Sequence, residues 1–145
     1  MPSKVLLVDD EEHIRSVLGN SLRTTGFDVT CVASGEQGLA TLESQPADLM
    51  IVDLKMDEIS GLAFAQKALE MLPDAQVIIL TGYRDMNSAV EAMRAGAYGY
   101  LTKPVDLDRL IQTLKKAEER QRLIVENRTL LGRLIEANRI KAEFI

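Results

Sequence analysis

Five short runs of nearly continuous apolar character recur along the chain: KVLLV at 4–8, DVTCVA at 28–33, LMIV at 49–52, QVIIL at 76–80 and YGYL at 98–101. They are rich in β-branched residues and lack the in-out alternation of a half-exposed strand. This is how strands read when both faces of a parallel sheet are covered. Between them lie stretches with helical periodicity: Glu11–Thr25, Gly35–Ser44, Gly61–Leu72 and Met86–Ala95. Ser34 with Gln37 forms a capping box for the second, and Gly26, Pro73 and Gly96 mark stops or turns. Regular strand–helix alternation predicts βαβ units with right-handed crossovers, hence an α/β, doubly wound parallel sheet, for which the expected order is 2-1-3-4-5. From Asp106 onward the pattern changes. There is no further proline, Gly132 is the one glycine, and no strand pattern follows. Asp106 can cap a helix, which if continuous to Ile145 would reach about 60 Å. We expect the compact part to end near Ala117 and the rest to project.

A length of 145 residues suits one domain with a substantial core. The net charge of −5 argues against direct nucleic-acid binding, because such binding leaves a basic footprint. No apolar run is long enough to span a bilayer, and the N-terminus lacks a signal-peptide pattern. A cytoplasmic domain without membrane contact is the expectation. Cys31, the sole cysteine, sits in an apolar run and reads as a small buried hydrophobe. His13, the sole histidine, has no partner cluster for a transition metal and reads as a solvated or packing residue. SGEQG at 34–38 reads as a helix cap, since no glycine-rich phosphate loop follows the first strand.

Candidate chemistry follows from the sheet. Ligands of open parallel sheets bind beyond the carboxyl ends of the strands. The first strand delivers Asp9 and Asp10 there, the third Asp53, the fourth Thr81 and Gly82, and the fifth Lys103 and Pro104. Three carboxylates a few ångströms apart suit a hard divalent cation, and Mg²⁺ prefers a few carboxylates with water and phosphate oxygens. Glu11 and Glu12 complete an acidic run of four and fall where a helix begins, so the macrodipole favours them. A carboxylate can attack phosphorus to give an acyl phosphate, with a metal, an ammonium and a hydroxyl steadying the phosphoryl oxygens. Asp53, on the central strand, is the candidate nucleophile.

VLLVDDEEHIR, LMIVDLKMDEISGL, VIILTG and GAYGYLTKP resemble the CheY-like receiver domain of two-component response regulators, over about residues 3–118. The resemblance implies a flavodoxin-like (βα)₅ fold and phosphorylation of Asp53 from a histidine kinase or phosphotransfer protein. It implies Asp9, Asp10, Asp53 and the backbone carbonyl of Lys55 as Mg²⁺ ligands, and Lys103 as the phosphate-binding lysine. It further implies Thr81 and Tyr100 as switch residues and a cis Lys103–Pro104 bond. Lys55 and Tyr83 should flank the approach of hydrolytic water. The loop after Asp53 departs from the family pattern: Met56-Asp57-Glu58 lacks a proline and adds two acids. An aspartyl-phosphate phosphatase of the haloacid-dehalogenase type needs an acid two residues after its nucleophile, where this chain has Lys55. A nucleotide-binding α/β domain would need the missing glycine-rich loop.

We therefore expect a phosphoacceptor signalling domain rather than an enzyme at residues 1–118, and a helical, coiled-coil linker to an output domain at 119–145. Leu123, Asn127, Leu130, Leu134, Ala137, Lys141 and Phe144 fall in a heptad register, widened by Ile124, Leu131 and Ile135, so a homodimer through this helix is expected. EANRIKAEFI at 136–145 resembles the stretch before the phosphorylated histidine of dimeric histidine kinases. Residues 107–130 resemble linkers of AAA+ transcription activators. The kinase parent is the favoured expectation of the two.

Overall fold

The computed structural model describes residues 2–56, 60–82 and 85–143, without the side chains of 140–143. Tyr83, Asp57, Glu58 and Phe144 lie outside the described residues. Strands β1 (Lys4–Val8), β2 (Asp28–Val32), β3 (Leu49–Asp53), β4 (Gln76–Thr81) and β5 (Gly99–Thr102) alternate with helices α1 (Glu12–Thr25), α2 (Gly35–Ser44), α3 (Gly61–Met71), α4 (Met86–Arg94) and α5 (Leu107–Glu143). All strands pair in parallel, in the order β2-β1-β3-β4-β5.

The sheet separates two apolar layers by simple alternation. Leu6 and Val8, Met50 and Val52, and Val77 and Ile79 face one layer, closed by Leu42 of α2, Phe64, Ala65 and Ala68 of α3, and Ala89 and Ala92 of α4. Val5 and Leu7, Leu49 and Ile51, and Ile78 and Leu80 face the other, closed by Leu18 and Leu22 of α1 and Leu110, Leu114 and Ala117 of α5. Both faces of the central strands are covered, which is why their sequences show no polar alternation.

The caps follow the expected chemistry. Ser34 accepts from the Gln37 N–H at 3.1 Å, while Gln37 Oε1 accepts from the Ala33 N–H at 2.9 Å. Gly26 ends α1 at φ 112°, a left-handed geometry that favours glycine. Asp106 accepts from the Asp108 N–H at 3.0 Å and starts α5. Strand β5 lies one residue later than its apolar run, and β3 and β4 each run one residue further, through Asp53 and Thr81. Glu11 is the N-cap of α1, with no side-chain capping bond, so only Glu12 lies in the first turn.

Gly61 ties the fold to the rim. It opens α3 directly against the backbone that follows β3, where an added Cβ would sit 2.2 Å from the Asp53 carbonyl oxygen and 2.6 Å from Leu54 Cα. Backbone atoms cannot rotate away as a side chain could. Gly61→Ala should therefore cost about 2 kcal/mol by forcing α3 off β3, and chemical denaturation would show it as a lower midpoint at unchanged slope.

Candidate functional site

Register places the candidate residues. Val8 pairs with Val52, so the next residues, Asp9 and Asp53, leave adjacent strands side by side. Thr81 pairs with Thr102, and the Lys103 N–H then donates to the Thr81 carbonyl at 2.8 Å. The Lys103–Pro104 bond is cis. Asp9, Asp10, Asp53, Thr81 and Lys103 thus meet on one rim, as their positions at strand ends predict.

Asp53 is almost fully buried, and both of its hydrogen bonds fall on one oxygen. Oδ1 accepts from Lys103 Nζ at 2.9 Å and from the Lys55 N–H at 3.2 Å. Asp9 is fully buried. Its Oδ1 accepts from the Glu11 N–H at 2.9 Å, while its Oδ2 has no hydrogen-bond partner. Asp10 is exposed. One oxygen from each of Asp9, Asp10 and Asp53 lies within 4.8 Å of the others. A buried, unpartnered carboxylate oxygen in an all-oxygen donor set fits a hard divalent cation such as Mg²⁺.

Charge follows burial. The Asp9 carboxyl is pushed up to about 6 by loss of solvent and, less, by the neighbouring Asp53 and Asp10 charges, against the pull of the Glu11 N–H and Lys103. Burial also raises Asp53, although the Lys103 ammonium and the Lys55 N–H oppose it. Burial lowers Lys103, but the hydrogen bond to Asp53 and the Asp53, Asp9 and Glu11 charges outweigh it and leave the ammonium above its ordinary range. Around Asp9, Asp10 and Asp53, Lys103 supplies the counter-charge, so a cation has a role ready for it.

The side chains of Tyr100, Thr81 and Lys55 make no hydrogen bond to Asp53. Tyr100 is 42% exposed on β5. The Thr81 hydroxyl donates to the Gly82 carbonyl at 3.1 Å rather than to Asp53. The Lys55 side chain is exposed. Sequence reasoning missed Arg15, whose Nη1 donates to the Asp9 carbonyl at 2.7 Å. The available signal was a cation placed one turn into the helix that follows the acidic run.

The chain is 40% identical over 87% of its length to the C4-dicarboxylate transport transcriptional regulatory protein DctD of Rhizobium meliloti (strain 1021), of which the match covers 27%. It is 37% identical over 98% of its length to the transcriptional regulatory protein GlrR of Escherichia coli (strain K12), covering 34% of that protein. The crystal structure of NtrX from Brucella abortus in complex with ATP superposes with a TM-score of 0.84 at 29% identity, over 90% of this chain and 30% of that one. The chain therefore spans about a quarter to a third of the length of these relatives. The similarity to GlrR includes the C-terminal helix and lends no support to the expectation of a histidine-kinase parent drawn from residues 136–145. The names of these relatives as transcriptional regulators lend no support to the expected lack of nucleic-acid contact. Among the described residues no helix is long and apolar enough to cross a membrane. The family model described as the response regulator receiver domain matches residues 5–115, and with the parallel five-stranded fold and its acidic rim the chain belongs to that family.

Proposed function

We propose that Asp53 accepts a phosphoryl group from a histidine kinase or phosphotransfer protein. The observation that carries this is the Asp53 carboxylate itself: nearly buried, tied through Oδ1 alone, and faced by Lys103 and two further acids. With Oδ1 engaged, Oδ2 is the attacking oxygen. It forms the bond to phosphorus as the phosphorus–nitrogen bond of the donor histidine breaks. Asp9, Asp10, Asp53 and the Lys55 carbonyl would hold Mg²⁺, which supplies positive charge for the phosphoryl oxygens. Lys103 gives those oxygens a second cation, and Thr81 turns from Gly82 to donate to one of them. Tyr100, outward in the present arrangement, then follows Thr81 inward and alters the surface against α5. Residues 1–118 form the signalling unit and 119–145 the linker. The output is a transcription activator of the ATP-binding class rather than a kinase, as the names of DctD and GlrR and the ATP complex of NtrX favour.

Intact mass after incubation with acetyl phosphate and Mg²⁺ tests the assignment. The wild-type chain should gain one alkali-labile phosphoryl group. Asp53→Asn should gain none, because an amide oxygen is a poor nucleophile, and excess chelator should suppress uptake by the wild type. Uptake by Asp53→Asn at the wild-type rate removes Asp53 from the reaction.

A further inference from the structure

We infer that Arg15 is a positioning residue for the acidic pocket, pinning the Asp9 backbone so that Asp9 and Asp10 stay in reach of one cation. The inference rests on the proposed Mg²⁺ site. Arg15 is the fourth residue of α1, near the positive end of the helix macrodipole, where a cation is disfavoured unless a local partner holds it. That partner is the Asp9 carbonyl, which accepts from Arg15 Nη1 at 2.7 Å, a short charge-assisted bond. The rest of Asp9 is tied as well. Its N–H donates to the Val32 carbonyl at 3.2 Å, and its Oδ1 accepts from the Glu11 N–H at 2.9 Å. Strand β2, the start of α1 and the Arg15 side chain thus hold three atoms of Asp9, and the bare, buried Oδ2 is left for a ligand. Repulsion along Asp9, Asp10, Glu11 and Glu12 would otherwise open this turn.

The sign of the effect separates this role from simple charge. A guanidinium acting only through its field would repel Mg²⁺, and its removal would tighten binding. A guanidinium acting through the carbonyl bond makes removal weaken binding. Outer partners of metal ligands typically contribute about 10–100-fold in affinity; Arg15 touches the backbone of a ligand, so we expect a loss of about ten-fold, at the low end of that range.

Isothermal calorimetry of Mg²⁺ into the full chain tests this on wild type, Arg15→Gln, Arg15→Met and Arg15→Lys. Arg15→Met keeps the apolar stem, so a folded neutral variant is in hand even if the glutamine packs poorly. Expected are weaker binding by both neutral variants, an intermediate affinity for Arg15→Lys, and a metal-free melting temperature that does not track the affinity. A folded neutral variant that binds Mg²⁺ as tightly as wild type, or more tightly, overturns the inference. A wild type that binds no Mg²⁺ instead overturns the metal site beneath it.

Discussion

Without metal, the protein should melt at a higher temperature at pH 5 than at pH 7.5, and saturating Mg²⁺ should abolish that difference. Asp9 has a folded pKa of about 6 against an ordinary value of 3.8. A raised carboxyl pKa means that the folded state binds more protons than the unfolded chain between those values. Stability is therefore lost as pH climbs through about 4 to 6 and is level above. From pH 5 to pH 7.5 Asp9 alone contributes a loss of about 1.4 kcal/mol, or roughly 3–6 °C for a chain of this size. Asp53 is raised as well and adds in the same direction. Lys103, also raised, stays charged across this window and leaves the sign unaltered. Mg²⁺ competes with the proton for the same oxygens, so its stabilisation is largest at pH 7.5 and reaches about 3 kcal/mol at a hundred times its dissociation constant. Calorimetric melts in chelator and in Mg²⁺ at the two pH values measure all four corners. Asp9→Asn should flatten the pH difference in the metal-free protein. Equal melting temperatures with and without Mg²⁺ at pH 7.5 would show that the carboxylates do not bind it.

The sheet and the rim were legible because one physical constraint wrote both. Strands covered on two faces must be apolar throughout, so β1, β3 and β4 stand out as runs, and the first polar residue after each run is by geometry a rim residue. Asp9, Asp53 and Thr81 are found that way with no knowledge of the fold's details. Strand β5 starts one residue later than its apolar run because Tyr98 looks like strand but lies just before it, half-buried beneath the Arg120 guanidinium at 5.9 Å. Polar contacts made outside the apolar layers leave no trace in the hydrophobic pattern. Neither the Arg15–Asp9 bond nor the Arg128–Asp74 ion pair, which joins α5 to the turn before β4, follows from periodicity. The histidine-kinase resemblance of residues 136–145 rests on ten residues, with a composition that many solvated segments share. So short a stretch carries little information about its partner, and the relatives matched over most of the chain are named as transcriptional regulators.

The full chain should be a dimer at micromolar concentration, and Leu130→Asp with Leu134→Asp should make it a monomer. Helix α5 continues unbroken from Leu107 to Glu143, yet among the described side chains its last fully buried residue is Ala117. At about 100° per residue, Arg128 falls on the side of Leu110, Leu114 and Ala117 that faces the domain, in keeping with its pairing to Asp74. Leu123, Leu130 and Leu134 fall on the opposite side, with 47%, 59% and 58% of their surface exposed. The stripe therefore points away from its own domain, which disfavours a helix folded back upon it, and the 4-3 spacing fits a second copy of the same helix. Burying the remaining surface of two leucines per chain contributes about 3–6 kcal/mol by area, before association entropy is subtracted. Leu123, on the same side, adds to it. Each aspartate would have to enter the seam opposite its own copy, losing hydration and facing like charge, whereas in the monomer both positions lie in water and the fold is untouched. Sedimentation velocity over a concentration series, with circular dichroism to confirm folding, separates the outcomes. A wild-type chain that stays monomeric up to about 100 µM, or a folded double variant that keeps the wild-type dimer, would show that this face does not join two copies.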